Sequence, residues 1–253
     1  MIVGLWRRWP ELLGIIGGTG LYQLEGLDTR ALPVDTPYGA PSAPLQELPG
    51  KAVFVTRHGV DHSIPPHRIN YRANIQALYQ CGVRHILSFN AVGGCSQAFA
   101  PGRLFMPQQL IDYSYGREHS FHERLDNFAD HIDFTEPFSA ELQQRLVAVA
   151  QRCAIPVTVQ GTYGCTQGPR FETAAEIRRL QRDGCDLVGM TAMPEAALAA
   201  ERGMAYASLC VVVNYAAGVE PVMPAMVEIE RTMQEAMVKV HRLVAGVLDE
   251  LPW

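Results

Sequence analysis

The stretch from Gly161 to Glu195, GTYGCTQGPRFETAAEIRRLQRDGCDLVGMTAMPE, is compatible with few folds. A turn at Gly168-Pro169 precedes a segment, Thr173 to Arg182, in which Ala174, Ile177 and Leu180 recur at helical spacing, with Gly184 just past its end. A short apolar strand, Leu187 to Met190, then runs into Thr191-Ala192-Met193-Pro194-Glu195, where proline in a first helical turn marks a helix start. Helix, strand and helix in immediate succession predict an α/β chain, and in an open α/β sheet ligands collect at the carboxyl ends of strands.

Other segments repeat this pattern of an apolar strand ending in polar or glycine-rich residues. Leu12 to Ile16 leads into Gly17-Gly18-Thr19-Gly20-Leu21, which is either a tight turn or a loop presenting N–H groups and one hydroxyl to a phosphate. Position 23 is Gln, so the glycine pattern of a dinucleotide site is incomplete. Ala52 to Thr56 leads into Arg57-His58, either a surface ion pair or a fork and donor for a dianion. Val83 to Phe89 leads into Asn90-Ala91-Val92-Gly93-Gly94, and Ala205 to Val213 into Asn214-Tyr215-Ala216. Further strands are expected at Leu104 to Tyr113 and from Val157, with helices over Asn70 to Cys81, Ser139 to Cys153, Glu195 to Glu201 and Pro224 to Leu248. The methionines of the last helix, at helical spacing, suit a core or subunit interface.

Composition removes several classes of function. The net charge of −5 argues against a nucleic-acid partner. Lys51 and Lys239 are the only lysines and neither sits in a motif, which disfavours Schiff-base and P-loop chemistry. His58, His62 and His67 do not form a metal site by spacing, because Pro65-Pro66 prevents a helix from aligning them. The six cysteines follow no paired spacing, as expected of a reduced, cytoplasmic compartment, and no apolar run suits a signal peptide or a membrane span. No linker divides the 253 residues, so a single domain is expected, with residues 1–10 a peripheral extension.

GPRFET, AE and VGMTAMPE, with IIGGTGL, RHGVDHSIPPHRINY and CVVVNY, resemble the purine nucleoside phosphorylase superfamily, in particular its trimeric branch, which includes the methylthioadenosine phosphorylases. The resemblance implies a mixed central sheet, partly barrel-like and flanked by helices, in a homotrimer that needs no metal or organic cofactor and takes inorganic phosphate as co-substrate. It places phosphate on Thr19, Arg57, His58, Ala91 and Thr191, ribose on Met190 and purine on Phe171, Glu172 and Asn214. Asn214, His58 and Glu172 are the expected catalytic residues. His131, in DHIDFTEPF, is either a solvated loop residue or, by resemblance, a contact to the 5′ end of a neighbouring subunit's ligand. Met223, Met226 and Val227 are candidates for the pocket around the 5′ substituent.

Two departures from the methylthioadenosine enzymes bear on substrate. Those enzymes carry aspartates where this chain has Asn214 and Ala216, and many have a hydroxyl residue in place of Asn90. Asn214 can donate to a 6-oxopurine, and Glu172 can accept the N1 hydrogen that hypoxanthine has and adenine lacks. A 6-oxopurine end combined with an apolar 5′ end describes 5′-methylthioinosine, cleaved by phosphate to hypoxanthine and 5-methylthioribose 1-phosphate. Inosine or guanosine, methylthioadenosine, and a non-catalytic nucleoside sensor are the alternatives.

Overall fold

A computed structural model describes residues 12–24, 26–124, 131–220 and 225–251. The strands are β1 Leu12–Gly17, β2 Arg30–Leu32, β3 Leu45–Leu48, β4 Ala52–Thr56, β5 Val83–Gly94, β6 Leu104–Met106, β7 Gln109–Asp112, β8 Val157–Val159, β9 Thr162–Cys165, β10 Leu187–Gly189 and β11 Ala205–Tyr215. The helices are α1 Tyr71–Gln80, α2 Ala140–Arg152, α3 Ala174–Arg182, α4 Ala192–Glu201 and α5 Met226–Asp249. All the strands join one mixed sheet, in a single-domain α/β fold. The expected extension at residues 1–10 lies outside the described residues.

Strands β4, β1, β5 and β11 run parallel and form the centre of the sheet. They are buried on both faces, which explains why they read as continuous apolar runs. Leu13, Ile15, Leu87, Phe89, Leu209 and Val211 face α2 and α5, while Ile16, Ile86, Tyr206, Cys210 and Val212 face α1 and α4. Strand β5 pairs with β1 over its first half, with β11 along its length, and with β10 antiparallel at Gly93 and Gly94, so the sheet branches there.

The branch curls. The single strand expected over Leu104 to Tyr113 is two, because Pro107 interrupts it, and the strand begun at Val157 is likewise broken at Gly161, whose φ is 101°. The two breaks meet: Gln160 N donates to Met106 O at 3.1 Å, and Gln108 N to Gly161 O at 2.9 Å. Backbone therefore bridges the two ends of the curled branch, which gives it its barrel-like form.

Local capping explains the helix boundaries. Asn70, Ser139 and Thr173 each accept from a first-turn N–H of α1, α2 and α3, and Thr173 and Glu176 complete a capping box. In α4 the residue after Ala192, Met193, is extended (φ −114°, ψ 140°), so regular helix begins at Pro194.

An ion pair is buried between these elements. Arg57, just after β4, is 1% exposed, and Glu195, in the first turn of α4, is 0% exposed. Arg57 Nε and one NH2 hydrogen bond the Glu195 carboxylate at 2.7 and 2.8 Å. Ser88 Oγ and Tyr206 OH also donate to Glu195, at 2.9 and 2.8 Å. Burial opposes the Arg57 charge, but the Glu195 carboxylate more than offsets it and holds the arginine pKa above its ordinary value. Removing one partner strands the other charge, so Glu195→Gln is expected to cost about 3 kcal/mol in urea unfolding, and Arg57→Met/Glu195→Leu less than the single change.

Candidate active site

The carboxyl ends of β1, β4, β5, β10 and β11 converge on a cavity of about 1010 Å³, roofed on one side by α5. Thr19, Arg57, His58, Ala91, Met190, Thr191 and Asn214 line it, as do Phe171 and Glu172 from the turn before α3. The loop after β1 lies tight against its neighbours. A methyl group on Gly18 would overlap the Phe89 carbonyl, and Gly20 has a φ of 92° with Met233 against it.

Asn214 owes its position to a bulge. The register of β11 against β5 steps from Val212↔Val92 to Asn214↔Gly93, leaving Val213 as an extra residue. Side chains alternate along a regular strand, yet Val213 and Asn214 both line the cavity, as the bulge allows. Asn214 Nδ2 donates one hydrogen to Tyr215 O at 2.7 Å, and among the described residues its second hydrogen and Oδ1 have no partner and can meet a ligand.

The expected phosphate ligands are present with altered roles. The Arg57 fork closes on Glu195, and NH1 and NH2 also donate to Phe89 O and Ser88 Oγ at 2.9 and 2.5 Å. One hydrogen on Nε, one on NH1 and two on NH2 are thus committed, four of the five a guanidinium has. Arg57 therefore contributes positive charge and one NH1 hydrogen to the cavity, because a guanidinium this buried requires a carboxylate partner. Thr191 Oγ1 donates to Asn90 Oδ1 at 2.8 Å, and Asn90 Nδ2 donates to Ser208 Oγ at 2.7 Å. Asn90 is thus a buried strut beneath Thr191, while the backbone of Ala91 lies at the cavity.

His58 is also redirected. Burial first, and the Arg57 charge second, pull its pKa down from 6.5 to about 4. Its Nδ1 lies 2.8 Å from Ile64 O, so the neutral ring donates there and leaves Nε2 as an acceptor rather than the expected donor. His62, outside the expected set, adds a second ring. Its Nε2 is 3.2 Å from Thr19 Oγ1, and it packs edge-on against His58 and Tyr22 with centroids 4.9 and 5.6 Å away. Among the described residues no three His, Cys, Asp or Glu side chains group to hold a metal.

At the 5′ side the expectations divide. Met226 lines the cavity, followed along α5 by Ile229, Glu230, Met233, Gln234, Met237, Val238 and His241, the spacing of one helical face. Val227 lies off that face, 72% exposed, and is not part of the wall. Met233 and Met237 are both buried and lining, so the methionine stripe serves core and cavity together. Met223 lies outside the described residues. His131 is exposed and away from this cavity.

A second arginine shapes the wall unannounced by any motif. Arg117, in the polar stretch after β7, is 9% exposed and donates to Met190 O and Met193 O at 2.8 and 2.5 Å, and to Gln167 O at 2.8 Å. It ties the loop that precedes Phe171 and Glu172 to the segment bearing Met190 and Thr191.

The cavity is lined by neutral and cationic donors for an oxyanion, by a carboxamide and a carboxylate, and by an apolar helix face. The chain belongs to the Phosphorylase superfamily, whose sequence profile matches residues 12–249. It is 52% identical to the probable S-methyl-5′-thioinosine phosphorylase of Pseudomonas syringae pv. tomato over 93% of this chain and 97% of that one. It is 41% identical to the 6-oxopurine nucleoside phosphorylase of Pyrococcus furiosus over 95% and 93% of the two chains. In structure it is similar to the methylthioadenosine phosphorylase of Schistosoma mansoni in complex with adenine, with a TM-score of 0.87, 29% identity and coverage of 94% and 91%. The protein is thus a nucleoside phosphorylase by family.

A depressed histidine pKa has a definite pH signature. The unfolded chain takes up the His58 proton first as pH falls, so this group's contribution to stability is whole above 6.5 and declines between 6.5 and about 4. In urea melts the loss is expected to reach about 3 kcal/mol and to be absent in His58→Asn.

Proposed function

We propose that the chain cleaves 5′-methylthioinosine with inorganic phosphate, giving hypoxanthine and 5-methylthioribose 1-phosphate. The observation that carries this reading is that one cavity is lined both by Asn214 and Glu172 and by the methionine face of α5. Phosphate sits beside Thr19, the Ala91 backbone and Thr191, with Arg57 supplying charge from beneath and the His58 Nε2 lone pair accepting from the O–H of the monohydrogen phosphate. Met190 packs on the ribose and Phe171 on the purine. Negative charge grows on the purine as the glycosidic bond breaks. Asn214 meets it by donating its remaining Nδ2 hydrogen to the O6/N7 edge, while Glu172 accepts from N1–H. The phosphate anion stabilises the sugar cation by proximity, so positioned donors suffice without a metal or organic cofactor.

The pyrimidine edge of adenine offers N1 as an acceptor, and Glu172 would then face a lone pair, a mismatch worth about 1–3 kcal/mol. The names of the Pseudomonas and Pyrococcus relatives agree with a 6-oxopurine preference. We place the enzyme in the cytoplasm, consistent with six cysteines that are all unpaired.

Hypoxanthine release from methylthioinosine is expected to depend on phosphate and to exceed, in kcat/KM, both inosine cleavage and adenine release from methylthioadenosine. A preference for inosine overturns the 5′ reading, and efficient adenine release overturns the base reading. Asn214→Asp is expected to move preference toward 6-aminopurines, partially while Glu172 remains.

A homotrimer is part of the same reading. Val60, Val227 and Val238, in or beside cavity-lining segments, are 73%, 72% and 62% exposed, a set of apolar side chains suited to cover by another subunit. His131 would reach the neighbour's 5′ pocket. Sedimentation is expected to give three times the protomer mass, and a monomer at assay concentration rejects the assembly.

A further inference from the structure

Glu172 is the base-reading carboxylate, and what orients it is not obvious from its neighbours in sequence. Arg170, two residues away, is committed elsewhere: NH1 and NH2 bond the Glu176 carboxylate at 2.8 and 2.7 Å. The donor that Glu172 does have is Thr166, the residue after β9, whose Oγ1 lies 2.5 Å from Glu172 Oε1. Thr166 Oγ1 has one hydrogen and a second acceptor in reach, Gly189 O at 3.3 Å. The shorter, charge-assisted bond to the carboxylate takes that hydrogen.

Thr166 is itself anchored at both backbone groups. Its N–H donates to Gly189 O at 2.8 Å, and its carbonyl accepts from Arg117 NH2 at 3.2 Å. It does not line the cavity, whereas Glu172 does. Glu172 Oε2 has no donor among the described residues, so one carboxylate oxygen is held by the protein and the other is left for a ligand.

We infer that Thr166 is a specificity-determining positioning residue, whose hydroxyl holds Glu172 in the orientation that accepts N1–H of a 6-oxopurine. This rests on the base reading proposed above. With its backbone held by Gly189 O and the Arg117 guanidinium, Thr166 presents its hydroxyl from a fixed position and sets the carboxylate plane in advance, so a base with an N1 hydrogen finds a prepared acceptor. Without the hydroxyl, the carboxylate rotates away from that edge and the advantage of a 6-oxopurine over a 6-aminopurine shrinks.

The test compares kcat/KM for methylthioinosine and methylthioadenosine in the full-length protein. Thr166→Val keeps the shape and removes the hydroxyl, with Thr166→Ala as a second variant should valine not be accommodated. Either is expected to lower the methylthioinosine-to-methylthioadenosine ratio about tenfold, with the KM for phosphate unchanged, whereas Thr166→Ser keeps the ratio. In a Glu172→Gln background, Thr166→Val is expected to change the ratio no further.

A ratio that survives loss of the hydroxyl but collapses in Glu172→Gln overturns the role of Thr166 and leaves the base reading standing. A ratio unchanged in Glu172→Gln overturns the base reading itself. Equal loss on both substrates, repeated in the Glu172→Gln background, assigns Thr166 a purely structural role and rejects the inference.

Discussion

The Arg57–Glu195 pair is the interaction on which the site's geometry depends. It links the end of β4 to the first turn of α4, and through Ser88, Phe89 and Tyr206 it reaches β5 and β11. Two charges removed from water are stable only when every remaining donor and acceptor finds a partner. That requirement locks the adjoining strand ends in place, and these are the ends that form the cavity floor. The pair also leaves a net effect on its surroundings: the arginine charge helps keep His58 neutral.

Above this floor, the walls other than α5 come from segments that make few regular hydrogen bonds of their own. Arg117 draws together the carbonyls of Gln167, Met190 and Met193, which belong to two different loops. A single guanidinium provides five hydrogens in a rigid plane, so it can satisfy several carbonyls that would otherwise be stranded on irregular backbone. The bulge at Val213 has an analogous effect in β11, since it turns Asn214 toward the cavity while the strand beneath stays paired with β5. The part of the cavity lined by Asn214, Phe171 and Glu172 is therefore built from irregularities held by a regular sheet.

Much of the fold was legible in the chain. The strands ending at Gly17, Thr56 and Gly189 and the helices capped by Asn70, Ser139 and Thr173 follow from local apolar periodicity and capping chemistry, which neighbouring residues settle among themselves. The breaks at Pro107 and Gly161 were missed because strand propensity continues on both sides, and the bends become evident when the two segments meet. Thr19, Ala91, Met190, Thr191 and Asn214 stood out as residues at strand ends, and the cavity gathers them. Val227, a candidate for the 5′ pocket by resemblance, lies outside the cavity lining because a helix offers one face only to every third or fourth residue, and Met226 takes that place.

The sequence by itself determined the α/β class, the family and the residue types at the strand ends, because those depend on local pattern and on ordered motifs. Tertiary structure alone decided which donors remain available. Arg57 was expected to grip an anion and instead grips Glu195, 138 residues away; His58 was expected to donate and instead offers a lone pair; Thr166 and Arg117 gained roles no motif suggested. The physical reason is that a hydrogen or a charge can be spent only once, and how it is spent depends on partners brought close by folding rather than by position in the chain.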